Sequence, residues 1–391
     1  MKVVVAIDSL KGSLTSLEAG EAIGEGAKKA IPGTEVVVRP LADGGEGTVE
    51  ALTLGLGGVL EHVTVTGPLG EPVTCAYGML EETKTAVVEM SGAAGITLIP
   101  AEKRNPLKTT TYGVGEVIRD AIKKGCRHFI VGIGGSATND GGVGMLQALG
   151  YEMLDANGNQ IAPGAEGLKE LASIGSGQVL PELKECTFKI ACDVTNPLCG
   201  PLGCSSVYGP QKGADEAMIK DMDQWLGEYA ELTEKWKEKT GAESETSGKL
   251  AEVPGTGAAG GLGFAFLAYT NAVLESGIKI VLDETKLEEY VKDADLVVTG
   301  EGRLDGQTVM GKAPVGVAEI AKKYGKPVIA FAGSVTADAY KCNGAGIDAY
   351  FPILRRIVTL EEAMDPETAK TNMSETAEQV FRLIGCFGKQ D

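Results

Sequence analysis

Residues 132–144 form a glycine-rich segment whose side chains and spacing suit the binding of an anion. Six of these thirteen residues are glycines, which let the backbone turn sharply and expose its N–H groups. An apolar run at 128–131 predicts a buried strand before the segment, and residues 145–149 predict the start of a helix after it. A helix N-terminus behind such a turn suits a phosphate or a carboxylate. The short polar side chains here, which could bind a hydroxyl, a phosphate oxygen or a metal ion, are Ser136, Thr138, Asn139 and Asp140.

The segment has a simpler interpretation as a tight strand-to-helix turn that only needs glycine. Its length and polarity favour function. Polar loops follow several other apolar runs, at 8–13, 43–48, 91–92, 193–197 and 301–308. Ligands of open α/β sheets bind beyond the carboxyl ends of the strands. Six such loops in one chain therefore predict a single large polar site between domains.

The two loops nearest the start of the chain offer different chemistry. Asp8, Ser9 and Lys11 place an ammonium group beside two small acceptors, although a surface lysine in a turn explains this pattern equally well. Asp43 and Glu46 are carboxylates at i and i+3 around glycines, a spacing that suits Mg²⁺ and its waters. A helix-capping turn is the alternative for that pair.

Later segments add further candidates. Asp193 follows the apolar run 188–192, and a turn at 209–214 supplies Lys212. The runs 255–263 and 299–303 could wrap a nucleotide, although the former also suits a close-packed helix start.

Two familiar motifs are not supported. Residues 306–312 have the spacing of a P-loop, but Ala313 stands where Ser or Thr is required. The glycine-rich segment 132–144 lacks the strict Gly-x-Gly-x-x-Gly order of dinucleotide-binding turns. The two histidines, His62 and His128, lie outside the polar loops, so acid–base work falls to a carboxylate.

Composition limits the class of protein. The 391 residues, with 43% hydrophobic and 23% charged side chains, suit an ordinary globular enzyme of about two to three domains. A net charge of −18 argues against nucleic-acid and anionic-membrane partners, which need a basic face. No apolar run approaches the ~18 residues of a membrane span. The first residues do not resemble a signal peptide. The eight cysteines are scattered without Cys-x-x-Cys spacing, which disfavours a zinc site. We therefore expect a cytoplasmic protein with reduced thiols.

The order of the predicted elements indicates an α/β fold. Residues 1–60 predict a βαβα opening, residues 61–90 a small meander, and the doubly wound pattern returns late in the chain. We therefore predict a Rossmann-like doubly wound parallel sheet domain built from both chain ends, 1–60 and 290–391. A second, inserted α/β domain at 61–289 would lie across a cleft from it.

The individual elements follow from apolar runs, caps and breakers. Ser16 is the predicted N-cap of the first helix, and residues 239–248 predict a mobile, charged surface loop. Predicted strands cover 3–7, 34–41, 61–66, 72–79, 85–90, 128–131, 188–192, 296–299, 327–332 and 349–353. Predicted helices cover 19–31, 112–124, 215–239, 314–324 and 374–384.

Six stretches together resemble the family of bacterial glycerate kinases that includes the glyoxylate- and glucarate-pathway enzymes. They lie at 8–13, 41–48, 132–142, 192–198, 208–214 and 299–305, and so extend over essentially the whole chain. Each alone is unspecific, and their combination is specific. One departure is the loop after Asp8, which has Ser-Leu-Lys-Gly-Ser where members often have Phe and a bulkier residue before Ser.

The resemblance implies ATP-dependent phosphorylation of D-glycerate with Mg²⁺, and the two-domain architecture described above. The family usually gives 2-phosphoglycerate, whereas the residues alone do not choose between the 2- and 3-hydroxyl. Because phosphoryl transfer depends on positioning and charge neutralisation, the mechanism is expected to be electrostatic.

The resemblance also suggests roles for individual residues. Asp193 is expected to accept the glycerate hydroxyl proton, and Lys11 and Arg303 to bind the glycerate carboxylate or the γ-phosphate. Asp43 and Glu46 are expected near Mg²⁺. The residues expected to bind substrate or phosphate are Asp8, Ser9, Gly134, Gly135, Ser136, Thr138, Asn139, Asp140, Gly141, Asn196, Lys212, Glu301 and Asp305.

Two other classes of protein remain as alternatives. A nicotinamide-dependent hydroxy-acid dehydrogenase would need a dinucleotide fingerprint and usually a catalytic histidine. A non-catalytic small-acid binding protein with a hinged cleft is disfavoured by the surplus of carboxylates and by the first residues, which do not resemble a signal peptide. The sequence does not fix the number of chains in the assembly, and a homo-oligomer is compatible with it.

Overall fold

The computed structural model of the protein describes residues 1–42, 47–241 and 249–387. Asp43 and Glu46, the predicted metal ligands, lie outside the described residues. So does the part of the predicted charged loop from 242 to 248. Among the described residues, no helix is long and apolar enough to cross a membrane.

The strands of the described residues are numbered in chain order. They are β1 (Lys2–Val5), β2 (Glu35–Val38), β3 (Val59–Thr66), β4 (Pro72–Leu80), β5 (Thr85–Glu89), β6 (His128–Gly132), β7 (Glu152–Leu154), β8 (Ser173–Gly175), β9 (Thr187–Ala191), β10 (Ala272–Glu275), β11 (Leu296–Leu304), β12 (Val328–Val335) and β13 (Ala349–Pro352).

The α-helices are numbered in the same way. They are α1 (Ser16–Ala30), α2 (Thr48–Gly55), α3 (Ser91–Ala94), α4 (Tyr112–Lys123), α5 (Val143–Ala148), α6 (Cys204–Tyr208), α7 (Glu216–Thr240), α8 (Ala258–Tyr269), α9 (Gly277–Glu284), α10 (Leu287–Val291), α11 (Ala313–Lys323), α12 (Lys341–Gly344), α13 (Leu360–Met364) and α14 (Pro366–Phe387).

The chain forms two compact units. Among the described residues, the first unit comprises 1–42, 50–57 and 278–387, and the second comprises 47–49, 58–241 and 249–277. The predicted domain limits, 1–60 with 290–391 and 61–289, stay a prediction.

The first unit is built on a five-stranded parallel sheet in the order β13-β12-β11-β1-β2. The chain leaves β1 towards β2 on one side, whereas β11, β12 and β13 follow on the other side. The strand order therefore reverses between β1 and β11, the position where open α/β sheets bind ligands. Apolar side chains of the sheet, including Val3 and Phe331, are fully buried together with Ile7, which follows β1, and Phe381 of α14. The predicted doubly wound α/β fold is confirmed.

The N-cap of helix α1 lies one residue before the predicted one. Thr15 is the N-cap, because Glu18 stands three residues later and completes a capping box: the Thr15 Oγ1 accepts from the Glu18 N–H at 3.2 Å, and the Glu18 carboxylate accepts from the Thr15 N–H at 2.9 Å. The prediction for Ser16 was wrong. Its hydroxyl instead donates to the carbonyl oxygen of Ile7 at 2.7 Å, which fixes α1 to the chain after β1.

Strands β11 and β12 are longer than predicted. Residues 300–304 and 333–335 were expected to be loops and belong to the paired strands. Their glycines favoured loops in the prediction. Glycine in the interior of a strand, however, also marks a position that another backbone segment approaches closely. A Cβ on Gly300 would lie 1.8 Å from the carbonyl oxygen of Phe331.

The second unit contains a six-stranded mixed sheet in the order β10-β9-β6-β5-β4-β3. Strands β10, β9, β6 and β5 are parallel, and the predicted meander β3–β4–β5 forms the antiparallel side of this sheet. Phe129 of β6 stacks on Phe188 of β9, with ring centroids 4.8 Å apart, in the buried core. A separate two-stranded antiparallel ribbon is formed by β7 and β8.

Candidate functional sites

A cavity of about 420 Å³ lies in the first unit beyond the carboxyl ends of its central strands. The chain after β1 contributes residues 8–11 and 13. The end of β11 and the residue after it contribute 301–303 and 305, and the end of β12 contributes 333–334. We call this cavity the first-unit pocket. Its position at the reversal of strand order is where the sheet topology predicts a ligand.

Three carboxylates and three cationic groups line the first-unit pocket. The carboxylates are Asp8, Glu301 and Asp305, and the cationic groups are Lys11, Arg303 and Lys312. The lining is thus balanced in formal charge, although the chain as a whole carries −18. An anion entering the pocket meets less repulsion than it would over most of this protein's surface.

Short contacts orient several of these groups. Glu301 accepts a hydrogen bond from the Thr308 hydroxyl at 2.6 Å and lies 3.8 Å from the Lys312 ammonium. Asp305 accepts from the Gln307 N–H at 2.8 Å. The carboxylates are therefore held in place, and the Lys312 side chain keeps 39% of its surface exposed to meet a ligand.

A second part of the lining of the first-unit pocket is aliphatic. It is formed by side chains from the loop after β1, from the chain after β13 and from α13, namely Leu10, Ile353, Leu354, Leu360, Ala363 and Met364. We call these six residues the aliphatic wall. A cavity lined by both charged and apolar side chains suits a ligand that has both an anionic part and a flat or apolar part.

Six residues predicted from separate motifs meet in this pocket: Asp8, Ser9, Lys11, Glu301, Arg303 and Asp305. Lys312, which lies in the rejected P-loop segment, was not predicted as a site residue. The aliphatic wall was not predicted either, because most of it comes from residues 353–364, which carry no glycine-rich pattern. The apolar side chains that follow β13 were the only feature of the sequence that indicated this wall.

The glycine-rich segment 132–144 connects β6 to α5 in the second unit. Gly135, Gly141 and Gly142 have φ angles of 72°, 65° and 76°, a region that favours glycine. Gly134 and Gly135 are exposed, whereas the side chains from Ser136 to Asp140 are buried. The open face of the segment is thus mainly backbone, in agreement with an anion-binding turn.

Asp140 is a buried carboxylate that holds the segment together. It accepts hydrogen bonds from the Thr111 N–H at 2.8 Å and hydroxyl at 2.9 Å, and from the Gly142 and Gly144 N–H groups at 3.1 and 3.3 Å. Burial raises the pKa of Asp140, and these hydrogen bonds oppose that effect. Asp140 therefore fixes the conformation of the turn.

Lys212 contacts the same segment from the 3₁₀ turn Pro210–Lys212, which follows α6. Only 2% of the residue is exposed, and its ammonium donates to the Ser136 hydroxyl at 2.9 Å and to the Thr138 carbonyl at 2.6 Å. Burial lowers the pKa of Lys212 to about 8, and the negative charge of Asp140 partly opposes the change. Lys212 is thus placed to hold the Ser136 side chain.

Two buried polar atoms of the segment have no hydrogen-bond partner among the described residues. They are the Thr138 Oγ1 and the Asn139 Oδ1. The Asn139 amide nitrogen, by contrast, donates to the Ser205 hydroxyl at 2.8 Å. These atoms have capacity for a water or a ligand group.

Asp193 and Asn196 lie in the loop after β9. Asp193 is exposed, and its carboxylate accepts a hydrogen bond from the Gly277 N–H at 3.0 Å. Asn196 donates to the Leu202 carbonyl at 2.8 Å and accepts from the Tyr208 hydroxyl at 2.7 Å, so both ends of its amide fix the loop. Asp193 has the position expected of it, at the carboxyl end of a buried strand.

The first-unit pocket offers two carboxylates that could hold Mg²⁺ beside phosphate oxygens and waters. Among the described residues, no group of three or more His, Cys, Asp or Glu could hold a metal ion. Mg²⁺ commonly uses only one or two carboxylates beside phosphate oxygens and waters. Asp8 and Glu301 line the first-unit pocket with such carboxylates.

The chain is similar to proteins of one known family over nearly its whole length. The model of the Glycerate kinase family matches residues 3–385. A glycerate 2-kinase of Escherichia coli (strain K12) is 50% identical over 363 residues, which is 93% of each chain. A glycerate kinase of Bacillus subtilis (strain 168) is 48% identical over 384 residues, 98% of each chain.

A solved structure is similar to this chain in both fold and sequence. The crystal structure assigned as a glycerate kinase 2 from Salmonella typhimurium LT2 superposes with a TM-score of 0.90 at 46% sequence identity, and the match covers 100% of both chains.

Proposed function

The chain belongs to the glycerate kinase family, and from this premise we propose that it transfers the γ-phosphoryl group of ATP to D-glycerate. The observation that carries the proposal is the family match from residue 3 to residue 385, which includes every polar loop described above. The chain is accordingly a phosphotransferase. The name of the Escherichia coli relative supports the 2-hydroxyl as the acceptor and 2-phosphoglycerate as the product.

Charge neutralisation is the main task of the residues in this reaction. Lys11, Arg303 and Lys312 supply positive charge within one cavity. We assign them to the phosphates or to the glycerate carboxylate, for which the planar Arg303 guanidinium offers two parallel donors. Two of these cations lie near carboxylates of the same cavity, Lys312 at 3.8 Å from Glu301 and Arg303 at 3.8 Å from Asp305.

Asp193 is our candidate for the group that accepts the proton of the attacking hydroxyl. Its carboxylate is exposed and is oriented by the Gly277 N–H. Neither histidine lies in a polar loop, so a carboxylate is the group left for this role. The competing role for Asp193 is that of a Mg²⁺ ligand.

Mg²⁺, when bound, would neutralise phosphate charge that this acidic protein otherwise repels. Asp8 and Glu301 are the described carboxylates that fit it. Asp43 and Glu46 stay candidates from the sequence. The residues 134–141 would hold an anionic group of the substrate through exposed backbone.

A coupled assay of ADP release tests the proposed reaction. We expect ADP release that depends on D-glycerate, with L-glycerate and no acceptor as controls. ³¹P NMR of the product distinguishes 2- from 3-phosphoglycerate. Equal ADP release with and without glycerate would contradict the proposal, and a 3-phosphoglycerate product would correct only the position of transfer.

A further inference from the structure

The first-unit pocket combines two surfaces that a small hydroxy acid would not use together. The six residues of its aliphatic wall line the same cavity as the charged side chains of Lys11 and Lys312. Glycerate bears an oxygen on every carbon, so burying it against this wall would leave polar groups without partners. The pocket therefore favours a larger ligand with separate apolar and anionic ends.

Size leads to the same conclusion. The cavity of about 420 Å³ falls in the range of pockets that enclose drug-sized ligands, roughly 300–1,000 Å³. A three-carbon acid would leave most of that space to water. A nucleoside with its phosphates would fill it.

We propose that the first-unit pocket is the nucleotide site, with the base against the aliphatic wall and the phosphates towards Lys11 and Lys312. This assignment rests on the proposed ATP-dependent reaction and adds the location and polarity of the nucleotide. A purine face is flat and polarisable, and aliphatic and thioether side chains such as Leu360 and Met364 contact it favourably.

Two residues of the aliphatic wall are exposed in the structure. Leu360 is 78% exposed and Met364 is 36% exposed, both on α13. Met364 reaches over the loop after β1, since its methyl carbon lies 3.0 Å from the position of a Cβ on Gly12. A bound base would cover this apolar surface, which gives the exposed Leu360 a role.

The aliphatic wall also predicts weak discrimination between bases. None of its six side chains carries a hydrogen-bonding group that could recognise a base edge. Apolar pockets typically reject an analogue with altered polar groups by only about 10²-fold, whereas hydrogen-bonding sites reach 10⁴–10⁵. We expect the dissociation constants of ADP and GDP to differ by less than about 100-fold on that basis.

Calorimetric titration with ADP, in the absence of glycerate, tests the site. Leu360→Gln should raise the dissociation constant of ADP at least about fivefold through lost apolar contact, and should leave the KM of glycerate unchanged. Leu383→Gln is the matched control, because Leu383 is also an exposed helical leucine, 56% exposed, and does not line the pocket. It should leave ADP binding within twofold of the wild type.

Lys312→Gln tests the polarity of the bound nucleotide. It should weaken the binding of ADP and leave the binding of adenosine, measured by competition, unchanged. Equal weakening of both would overturn the placement of the phosphates. Unchanged ADP binding in Leu360→Gln, or a raised KM for glycerate alone, would overturn the site.

The site and the reaction can fail separately. If the wild type binds ADP in the Leu360-dependent manner but releases no ADP with glycerate, the reaction fails and the site stands. If the wild type phosphorylates glycerate while photolabelling with 8-azido-ATP modifies no peptide from 353–364, the site fails and the reaction stands.

Discussion

At the scale of single residues, the buried ammonium of Lys212, which contacts the glycine-rich segment, makes the free energy of unfolding depend on pH. Two hydrogen bonds hold it on the Ser136 hydroxyl and the Thr138 carbonyl. Burial places its folded-state pKa at about 8, below the ordinary value of 10.5. Below pH 8 the lysine is charged in both the folded and the unfolded chain, so the full cost of burying the charge is present there.

Lys212→Met should therefore change the pH dependence of stability. Between pH 8 and 10.5 the folded protein loses the lysine proton before the unfolded chain does, so the free energy of unfolding of the wild type should rise relative to the variant. The expected relative gain between pH 7 and 9.5 is about 2 kcal/mol. Urea unfolding of both proteins at the two pH values measures it. A difference that is constant with pH would show that Lys212 is not held as a buried charge.

Asp193 offers a second test at this scale. Asp193→Asn keeps the size of the side chain and an oxygen that can accept the Gly277 N–H, but the amide cannot take a proton. If Asp193 is the general base, kcat should fall by roughly 10²-fold or more while the affinity for ATP is little changed. Steady-state kinetics and nucleotide titration measure the two quantities.

The competing metal role of Asp193 predicts a different result. The Mg²⁺ requirement of Asp193→Asn would then rise steeply, and excess Mg²⁺ would partly restore its rate. A folded variant with near-normal kcat would remove Asp193 from the mechanism and direct attention to the carboxylates of the first-unit pocket.

At the scale of elements, the connection from β6 to α5 contains two glycines that differ in their surroundings. A methyl group on Gly135 would lie 3.5 Å from the Ser91 Cβ, an ordinary contact. A methyl group on Gly141 would lie 2.9 Å from the Tyr229 ring and 3.0 Å from Leu226. Both glycines have positive φ, so alanine at either position adds local strain of roughly 1 kcal/mol or more.

Gly135→Ala and Gly141→Ala should separate binding from folding. Gly135→Ala should lower the free energy of unfolding by about 1 kcal/mol and weaken substrate binding more than that, because Gly135 lies on the exposed face of the turn. Gly141→Ala should lose more stability, since the ring of Tyr229 must move. Urea unfolding and KM values measure the two effects. Unchanged kinetics in both variants would reduce the segment to a structural turn.

Elements that depend on local patterns could be predicted, and those that depend on distant contacts could not. Helix α4, predicted at 112–124, lies at Tyr112–Lys123 because its apolar residues repeat with helical spacing. The continuation of β11 through Gly300 depends on its pairing with Phe331, which is remote in the sequence. The cap of α1 was misplaced by one residue because the capping box at Thr15 and Glu18 was not recognised.

The same division applies to the candidate sites. Asp8, Glu301 and Arg303 belong to polar segments that were predicted as loops, so their types and order indicated a site before the fold was known. Lys312 and Leu360 join that pocket only because β11, α11 and α13 place them there. The braces of the second-unit turn, Lys212 and Asp140, were expected to touch the substrate, and the structure buries both. Burial of this kind depends on tertiary packing and leaves no local pattern.

At the scale of the whole molecule, charge is the main constraint on the proposed reaction. The chain has 54 acidic and 36 basic residues, and both proposed substrates are anions. The first-unit pocket is locally balanced between three carboxylates and three cations, which lessens repulsion without giving a net positive charge. A triphosphate bound there would still bring uncompensated negative charge.

We therefore expect activity to require a divalent cation. Excess chelator should abolish ADP release with D-glycerate, and added Mg²⁺ should restore it, because Mg²⁺ neutralises charge on the phosphates and uses few protein ligands. Thermal unfolding with and without chelator is the control: the melting temperature of the nucleotide-free protein should not change if the cation arrives with the nucleotide. Full turnover in excess chelator would mean that Lys11, Arg303 and Lys312 neutralise the phosphates unaided. A lowered melting temperature would instead point to a metal held by the protein itself, and Asp43 and Glu46 would then be the first carboxylates to replace.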